Sequence, residues 1–204
     1  MLKEIIMASG NKGKIREAQE ILKEYKIIPI NEIGIDIDVE EDQDTFEGNA
    51  IKKAEIIAKQ LKGKMWISDD SGIEIEYLGG FPGVYTKRWH QGTDRERNLA
   101  IIEKLKEVPK ENRKIKFITA MAVSDGKNTI TAIGEIEGYV AESPRGDNGF
   151  GFDEIFELEN GKTLAEISQD EKNEISARRK ALEILKDELK QAIIWWQMAC
   201  FLYA

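Results

Sequence analysis

The fold is decided first by residues 3–22, which read KEIIMASGNKGKIREAQEIL. Residues 3–8 form an apolar run that is typical of a short buried strand, and the glycine-bearing turn at 10–13 ends it. A helix is predicted next, because apolar residues recur there at intervals of three and four. These residues are Ile15, Ala18, Leu22 and Tyr25. A strand, a glycine turn and a helix in this order favour an α/β protein.

The same mixture of helices and strands continues along the chain. Helices are predicted at 46–61, at 93–107 with Leu99, Ile102 and Leu105 as its apolar residues, and at 169–191. Strands are predicted at 65–68 (ending at Asp69-Asp70), 73–77, 114–124 and 128–137, and the alternating Ile33, Ile35, Ile37 and Val39 suggest one more. Loops are predicted at 79–83 and 146–151. We therefore expect an α/β fold with a mixed sheet.

Composition restricts the class of function. The chain has 204 residues, of which 41% are hydrophobic and 33% charged, as in a soluble globular protein. Its 30 Lys and Arg against 38 Asp and Glu give a net charge of −8. Residues 27–51 hold an excess of acids equal to that whole charge and contain no Lys or Arg. This balance argues against nonspecific binding of nucleic acid, which needs a basic surface.

The cellular compartment is indicated by the cysteine content. The single Cys200 allows no intrachain disulfide and favours a reducing, cytoplasmic location. No segment reaches the roughly 18 apolar residues of a membrane-spanning helix. The last segment, 192–204, comes closest, since AIIWWQMACFLYA is apolar except for Gln197. We expect it to pack on the body of the protein or on a second subunit; attachment to a membrane surface is the alternative.

The first candidate site is the turn SGNKGK at 9–14. A glycine-bearing turn from a strand into a helix offers backbone N–H groups and a positive helix end to an anion, and Lys12, Lys14 and Arg16 add charge. The spacing is not that of a Walker A loop. A plain turn with solvated lysines is equally compatible with this segment alone.

The second candidate is SDDSG at 68–72. Two adjacent carboxylates, Asp69 and Asp70, close a predicted strand, and their side chains would point to opposite faces. Mg²⁺ prefers oxygen ligands and is commonly held by one or two carboxylates plus substrate phosphates. Together with the lysine-bearing turn, these acids suit the chemistry of a magnesium–nucleotide complex, although carboxylates also cap ordinary turns.

Two further segments carry residues suited to a nucleotide. In DNGFGFD at 147–153, a phenylalanine between glycines leaves an aromatic face open for stacking on a base, and Asp153 could accept hydrogen bonds. The alternative is a hairpin turn with Phe150 in the core. In EKNEISARRK at 171–180, Lys172 and Arg179 would share one helix face. The alternative is a charged helix whose side chains are simply solvated.

In combination, these segments resemble the ITPase-like family of purine nucleoside triphosphate pyrophosphatases. The resemblance runs from residue 3 to about 190. It rests on six motifs in matching order: ASGNKGK (8–14), TFEGNAIKKA (45–54), SDDSG (68–72), GGFPGVYTKRW (79–89), NGFGFD (148–153) and EKNEISARRKAL (171–182).

The resemblance implies an ITPase-like α/β fold with an elongated mixed sheet, two lobes and a central cleft, and a homodimer. One domain would span 1–191, and the apolar segment 192–204 lies outside the family pattern. The implied reaction is the Mg²⁺-dependent hydrolysis of ITP, dITP or XTP to the monophosphate and pyrophosphate.

The resemblance also implies roles for individual residues. Asp70 would accept a proton from the attacking water, with Asp69 beside it, and Glu41 and Asp70 would bind Mg²⁺. Residues implied to contact the substrate are Ser9, Gly10, Asn11, Lys12, Gly13, Lys14, Lys53, Ser71, Phe150, Gly151, Phe152, Asp153, Lys172, Ala177 and Arg178.

Three positions depart from the family pattern. The family has His where this chain has Ala177, Thr where it has Ser9, and Pro where Glu154 follows Asp153. Loss of the His removes a contact to the base. A nucleotide-binding module with impaired turnover, or a pyrophosphatase with another base preference, are therefore the alternatives.

Overall fold

The computed structural model describes residues 3–35, 37, 39–61 and 63–202, with the side chains of 192–202 left aside. Across these residues there are seven strands and five α-helices. The strands are β1 (Lys3–Met7), β2 (Tyr25–Pro29), β3 (Met65–Ile75), β4 (Phe81–Pro82), β5 (Lys114–Ser124), β6 (Thr129–Val140) and β7 (Phe156–Glu157). The helices are α1 (Lys12–Ile21), α2 (Phe46–Gln60), α3 (Asp94–Lys104), α4 (Gln169–Ile175) and α5 (Ala177–Leu202).

The strands form a mixed sheet in the order β2-β1-β3-β5-β6-β7, and β4 pairs with β3. β1 lies parallel to β2 and to β3, so that Ile5 is opposite Ile27 on one side and Met65 on the other. The short strands β4 and β7 run antiparallel to β3 and β6. A parallel pair needs a crossover connection, and α1 supplies it between β1 and β2. The predicted α/β class with a mixed sheet is confirmed.

By its internal contacts the chain divides into two compact units. Unit 1 comprises Met1–Asp70, Thr119–Gly134 and Arg178–Ala204, and unit 2 comprises Ser71–Ile118 and Glu135–Ala177. Both units are assembled from separate stretches of chain, because the boundary passes through β3, β5 and β6 and near the start of α5. Each unit has its own apolar core.

The core of unit 1 has two parts because successive side chains of a strand point to opposite faces. Ile5 and Met7 of β1 belong to a cluster with residues of α1 and α5, including Ala18 and Leu185. Ile6, between them, belongs to a second cluster with α2. Helices therefore cover both faces of the sheet in this unit.

The core of unit 2 gathers residues of β3, β5, β6 and α3 around the phenylalanine-rich segment 152–156. Phe152 and Phe156 are buried there beside Ile101 of α3 and Leu105, which follows the last residue of that helix. Helix α3 begins at a capping box, in which Thr93 and Glu96 satisfy each other's backbone N–H groups. This helix contacts the loop at 147–153 through two of its side chains.

The segment following α1 differs from the prediction. Tyr25 does not continue the helix, since Leu22 ends it and Tyr25 begins β2. The strand suggested by Ile33, Ile35, Ile37 and Val39 is absent from the described residues, because Ile33 ends a short 3-10 helix and the next three are irregular. Asp36 and Asp38 lie outside the described residues. The alternation has another cause: these apolar side chains pack, partly buried, against the cluster around α2.

Strand β3 does not end at Asp69-Asp70 as predicted. It continues through both aspartates, Ser71 and Gly72 to Ile75, and Tyr77 lies in the 3-10 helix that follows. The two carboxylates are buried in the strand because cationic and amide side chains contact them there. Part of the predicted loop at 79–83 is also strand, since Phe81 and Pro82 form β4.

The buried face of α3 is rotated from the prediction. Leu99 is 47% exposed, Ile102 is partly buried, and the buried positions are Asn98, Ile101 and Leu105. These three also recur at helical spacing. The prediction considered only apolar residues and so left out Asn98, whose side chain has a partner inside the unit.

The predicted helix at 169–191 is two helices, because Ser176 has an extended backbone (φ −61°, ψ 146°). Lys172 and Arg179 therefore do not share a helix face, and that prediction was wrong. The break lets Ile175 and Ala177 join the core of unit 2 while Leu182 and Leu185 join that of unit 1. A continuous helix would have put Ile175 and Leu182 on the same face.

Helix α5 extends to Leu202, which includes most of the apolar segment 192–204. Residues 203 and 204 lie outside the described residues, so the packing predicted for this segment stays a prediction. Within the part of the chain that the structure describes, no helix is both long enough and apolar enough to span a membrane.

Leu185 tests the core of unit 1. It is fully buried among α1 and the sheet, so Leu185→Ala should lower the free energy of unfolding by about 2–5 kcal/mol. Its neighbour Ile184 is 47% exposed, and Ile184→Ala should change it by no more than about 0.5 kcal/mol. Urea denaturation followed by circular dichroism measures both, and equal losses would contradict this packing.

Candidate functional site

Asp69 is at the centre of an ionic cluster in unit 1. Its Oδ2 lies 2.7 Å from Nζ of Lys14 and 3.3 Å from a guanidinium nitrogen of Arg178. Arg178 also contacts Glu17 at 3.1 Å. The Asp69 side chain is 3% exposed and that of Arg178 is 12% exposed. The glycine turn, strand β3 and the start of α5 thus converge on one buried carboxylate.

Burial alone would raise the pKa of Asp69, but the charges of Lys14 and Arg178 outweigh it and hold that pKa well below its ordinary value. For Arg178, burial acts to lower the pKa, and the carboxylates of Asp69 and Glu17 raise it overall. Asp69 therefore stays ionised near neutral pH. It is suited to hold cations in place and poorly suited to exchange protons.

Asp70, the next residue, is fixed from α2. Nδ2 of the fully buried Asn49 donates to Oδ2 of Asp70 at 2.9 Å, and Oδ1 of Asn49 accepts from the backbone of Gln43 at 2.9 Å. One amide side chain thus joins the end of the acidic segment to the carboxylate of Asp70. The orientation of this carboxylate is set by a hydrogen bond as well as by the strand.

Lys53, one turn after Asn49 on α2, joins the other predicted metal ligand to the same strand. Its Nζ lies 2.7 Å from Oε1 of Glu41 and donates to the backbone oxygen of Asp69 at 2.6 Å. Glu41 is thereby held beside the Asp69–Asp70 peptide, whereas Glu40 is exposed. Of the two adjacent acids, Glu41 is the one that Lys53 connects to this strand.

The turn at 9–14 is organised by Asn11. Its Oδ1 accepts from the backbone N–H groups of Gly13 (2.9 Å) and Lys14 (3.2 Å), and Oγ of Ser9 accepts from the N–H of Asn11 (3.2 Å). Two of the helix N–H groups proposed for anion binding are therefore already satisfied within the turn. The charged side chains carried by this segment, above all Lys14, remain its stronger feature for an anion.

The loop at 147–153 in unit 2 exposes one aromatic ring and buries the other. Phe150 is 60% exposed and Phe152 is 6% exposed, so the alternative that placed Phe150 in the core is wrong. Nζ of Lys172 lies 4.7 Å from the centre of the Phe150 ring and is ion-paired with Oδ2 of the buried Asp153. The same carboxylate oxygen accepts from the backbone N–H of Phe150 at 2.8 Å. The structure thus brings Phe150, Asp153 and Lys172 together.

Other predicted site residues are less distinctive. Phe152 and Ala177 are buried in the core of unit 2, and neither presents a polar side-chain group. Ser71 is half-buried at the first position of unit 2, and Gly10 and Lys12 are exposed in the glycine turn.

In unit 1, the site contacts made by Asn49 and Glu17 were missed from the sequence. Asn49 orients Asp70, and Glu17 contacts Arg178. A signal existed for Asn49, because it is a polar residue on the apolar face of α2 shared by Phe46, Ala50 and Ala54. Glu17 carried no comparable signal, since it follows an arginine in a helix rich in charge.

Comparison with known proteins identifies the family. The model of the Ham1 family matches residues 5–188. A dITP/XTP pyrophosphatase of Clostridium perfringens (strain 13 / Type A) is 46% identical over 200 residues, covering 93% of this chain and 98% of its own. That of Bacillus subtilis (strain 168) is 45% identical over 196 residues, covering 93% and 98%.

Solved structures agree with the sequence comparison. The Staphylococcus aureus Ham1 protein has a TM-score of 0.85 at 38% identity, covering 93% of this chain and all of its own. A HAM1 protein from Coxiella burnetii has the same TM-score at 39% identity, covering 94% and 100%. The resemblance found from the six motifs is confirmed, and the chain belongs to the Ham1 family.

Proposed function

We propose that this protein hydrolyses non-standard purine nucleoside triphosphates (ITP, dITP and XTP) to the monophosphate and pyrophosphate. The observation that carries the proposal is the pair Asp69–Asp70, one carboxylate holding Lys14 and Arg178 and the other oriented by Asn49. This arrangement combines cations for a polyphosphate with a positioned proton acceptor. The names of the relatives, dITP/XTP pyrophosphatases at 45–46% identity, support the same substrate class.

The phosphates are assigned to the cations of unit 1. A triphosphate carries about four negative charges, and Lys14, Lys53 and Arg178 would balance charge that develops on the leaving pyrophosphate. Each of these groups is already paired with a carboxylate, to Asp69, Glu41 or Glu17. These contacts hold the three cations in place, so the phosphates would meet cations whose positions are already fixed.

The donor set of unit 1 fits a magnesium ion. Glu41 and Asp70 offer carboxylate oxygens, and Lys53 and Asn49 hold both close to the same strand segment. Among the described residues there is no cluster of three or more His, Cys, Asp or Glu side chains that would form a complete metal cage. Mg²⁺ needs only one or two protein carboxylates, because phosphates and water complete its coordination. When bound, Mg²⁺ would neutralise phosphate charge and lower the pKa of a coordinated water.

Asp70 is assigned as the proton acceptor. Water attacks the α-phosphorus, its proton passes to the carboxylate of Asp70, and the bond to the bridging oxygen of the β-phosphate breaks to release pyrophosphate. Asp69 cannot share this role efficiently, because Lys14 and Arg178 keep its pKa low. Asp69 instead keeps the two cations in position.

The base is assigned to the loop at 147–153. The exposed ring of Phe150 offers a stacking face, and Asp153 with Lys172 offers polar groups beside it. Ala177 has no side-chain hydrogen-bonding group, so base selectivity in this chain depends on the remaining contacts. Gly151 contributes only backbone groups, and the buried Phe152 anchors the loop in the core of unit 2.

From the family resemblance we also propose a homodimer, and from the single Cys200 a cytoplasmic enzyme. Sedimentation velocity on the full chain tests the first of these. A sedimenting mass of two chains is expected, and a mass of one chain, 23.2 kDa, would contradict it.

A panel of nucleotides tests the proposed activity. The purified protein with Mg²⁺ should release pyrophosphate from ITP, dITP and XTP with a higher kcat/KM than from ATP, GTP or pyrimidine triphosphates. Chromatographic identification of the products is the measurement. Phosphate as the first product would exclude the proposed bond cleavage. ITP binding without turnover would favour a binding module, and a preference for pyrimidines would favour a different base specificity.

Asp70→Asn tests the proton acceptor. The change keeps the shape of the side chain but removes its basicity, so kcat for ITP should fall by about 10²- to 10⁴-fold. Asp187→Asn is the matched control, because that side chain is 75% exposed on α5. Turnover is followed by pyrophosphate release, and near-normal kcat in Asp70→Asn would remove Asp70 from the mechanism.

A further inference from the structure

Two side chains of α3 hold the backbone of Gly151 from both sides. Oδ2 of Asp94 accepts from the N–H of Gly151 at 3.0 Å, and Nδ2 of Asn98 donates to its carbonyl oxygen at 2.9 Å. Asp94 and Asn98 are four residues apart and so lie on one face of the helix. We propose that they are positioning residues that set the conformation of the base-recognition loop and hence base selectivity. This inference rests on the proposed function.

The pair Asp94 and Asn98, here called the clamp, holds Gly151, which lies between the two phenylalanines of the loop. Gly151 has a φ of +65°, in the left-handed region that favours glycine, although no atoms would crowd a Cβ there. The exposed Phe150 precedes it and the buried Phe152 follows it. Since Phe152 is anchored in the core, fixing the peptide groups of Gly151 determines where the ring of Phe150 points.

The hydrogen bond to Gly151 explains why an asparagine occupies position 98. It is fully buried, and its Oδ1 has no hydrogen-bond partner among the described residues. Reversing the amide would bring that oxygen against the carbonyl oxygen of Gly151, so the orientation is fixed by the loop. A buried, unpartnered oxygen destabilises a protein, and an apolar residue would avoid that penalty. The hydrogen bond from Asn98 to Gly151 offsets this penalty.

The clamp completes the restraint of the loop. The N–H of Phe150 is already bound by Asp153, which Lys172 holds in turn. With Asp94 and Asn98 included, side chains bind the N–H of Phe150 and both backbone polar groups of Gly151. Loss of the clamp should therefore impair contacts to the base and leave contacts to phosphate intact, because the proposed phosphate ligands lie in unit 1.

Asp94→Ala is the primary test, because Asp94 is exposed at the start of α3 and the variant should fold. The KM for ITP should rise by roughly three- to ten-fold, the effect of one hydrogen bond, with a smaller change in kcat. The preference for ITP over ATP should fall. Asp94→Asn keeps an acceptor oxygen but not the charge, and should recover most of the loss. Glu103→Gln, an exposed change on the same helix, is the matched control.

Inorganic tripolyphosphate, which has no base, distinguishes a loss of base contacts from a general loss of substrate binding. It should inhibit wild type and Asp94→Ala equally, and an equal rise in its inhibition constant and in the KM for ITP would overturn the proposal. Hydrogen exchange at the amide of Gly151 should accelerate in Asp94→Ala. Asn98→Ala is the second variant and should likewise raise the KM for ITP.

The outcomes distinguish this inference from the proposed function. A wild-type protein that does not release pyrophosphate from ITP would contradict the proposed function. An active wild type, with KM, selectivity and Gly151 exchange unchanged in Asp94→Ala, would contradict the clamp alone.

Discussion

The carboxylate of Asp69 lies buried in β3 and is contacted by Lys14 and by Arg178. Removing a charge of this kind from water is costly unless opposite charges accompany it, and here they do. The three groups come from distant parts of the sequence, so the glycine turn, the central strand and the start of α5 must be folded together for the cluster to form. The placement of Lys14 and Arg178, two of the proposed phosphate ligands, depends on this one carboxylate.

Helix α2 supplies the complementary part of the site through two residues one turn apart. Asn49 contacts the Asp70 side chain, and Lys53 contacts the backbone oxygen of Asp69 while holding Glu41. The helix itself is fixed by Thr45, whose side chain caps its first turn, and by the apolar face of Ala50 and Ile57. The cap and the apolar face of α2 therefore hold in place the two residues that this helix contributes to the site.

Local patterns predicted much of this fold. β1, α2 and the hairpin strands β5 and β6 follow from periodicity and turn residues, and the motifs located Asp69, Asp70 and Phe150. Long-range contacts caused the errors. β3 continues through two aspartates because Lys14 and Asn49 meet them, and α4 ends at Ser176 because Ile175 and Leu182 belong to different cores. Neither partner set can be read from the neighbouring sequence.

Asn49 and Asn98 show which feature of the sequence could have indicated contacts to the site. Each is a fully buried asparagine on the apolar face of a helix, and each donates its amide to a segment with a proposed role in the site. Burying an amide weakens a core unless the group is hydrogen-bonded, so such a position is retained for what the amide contacts. A polar residue that interrupts an apolar helical stripe is therefore a positive indication of a site contact. In α2 and α3, this rule points to Asn49 and Asn98, whose amide groups contact Asp70 and Gly151 in the structure.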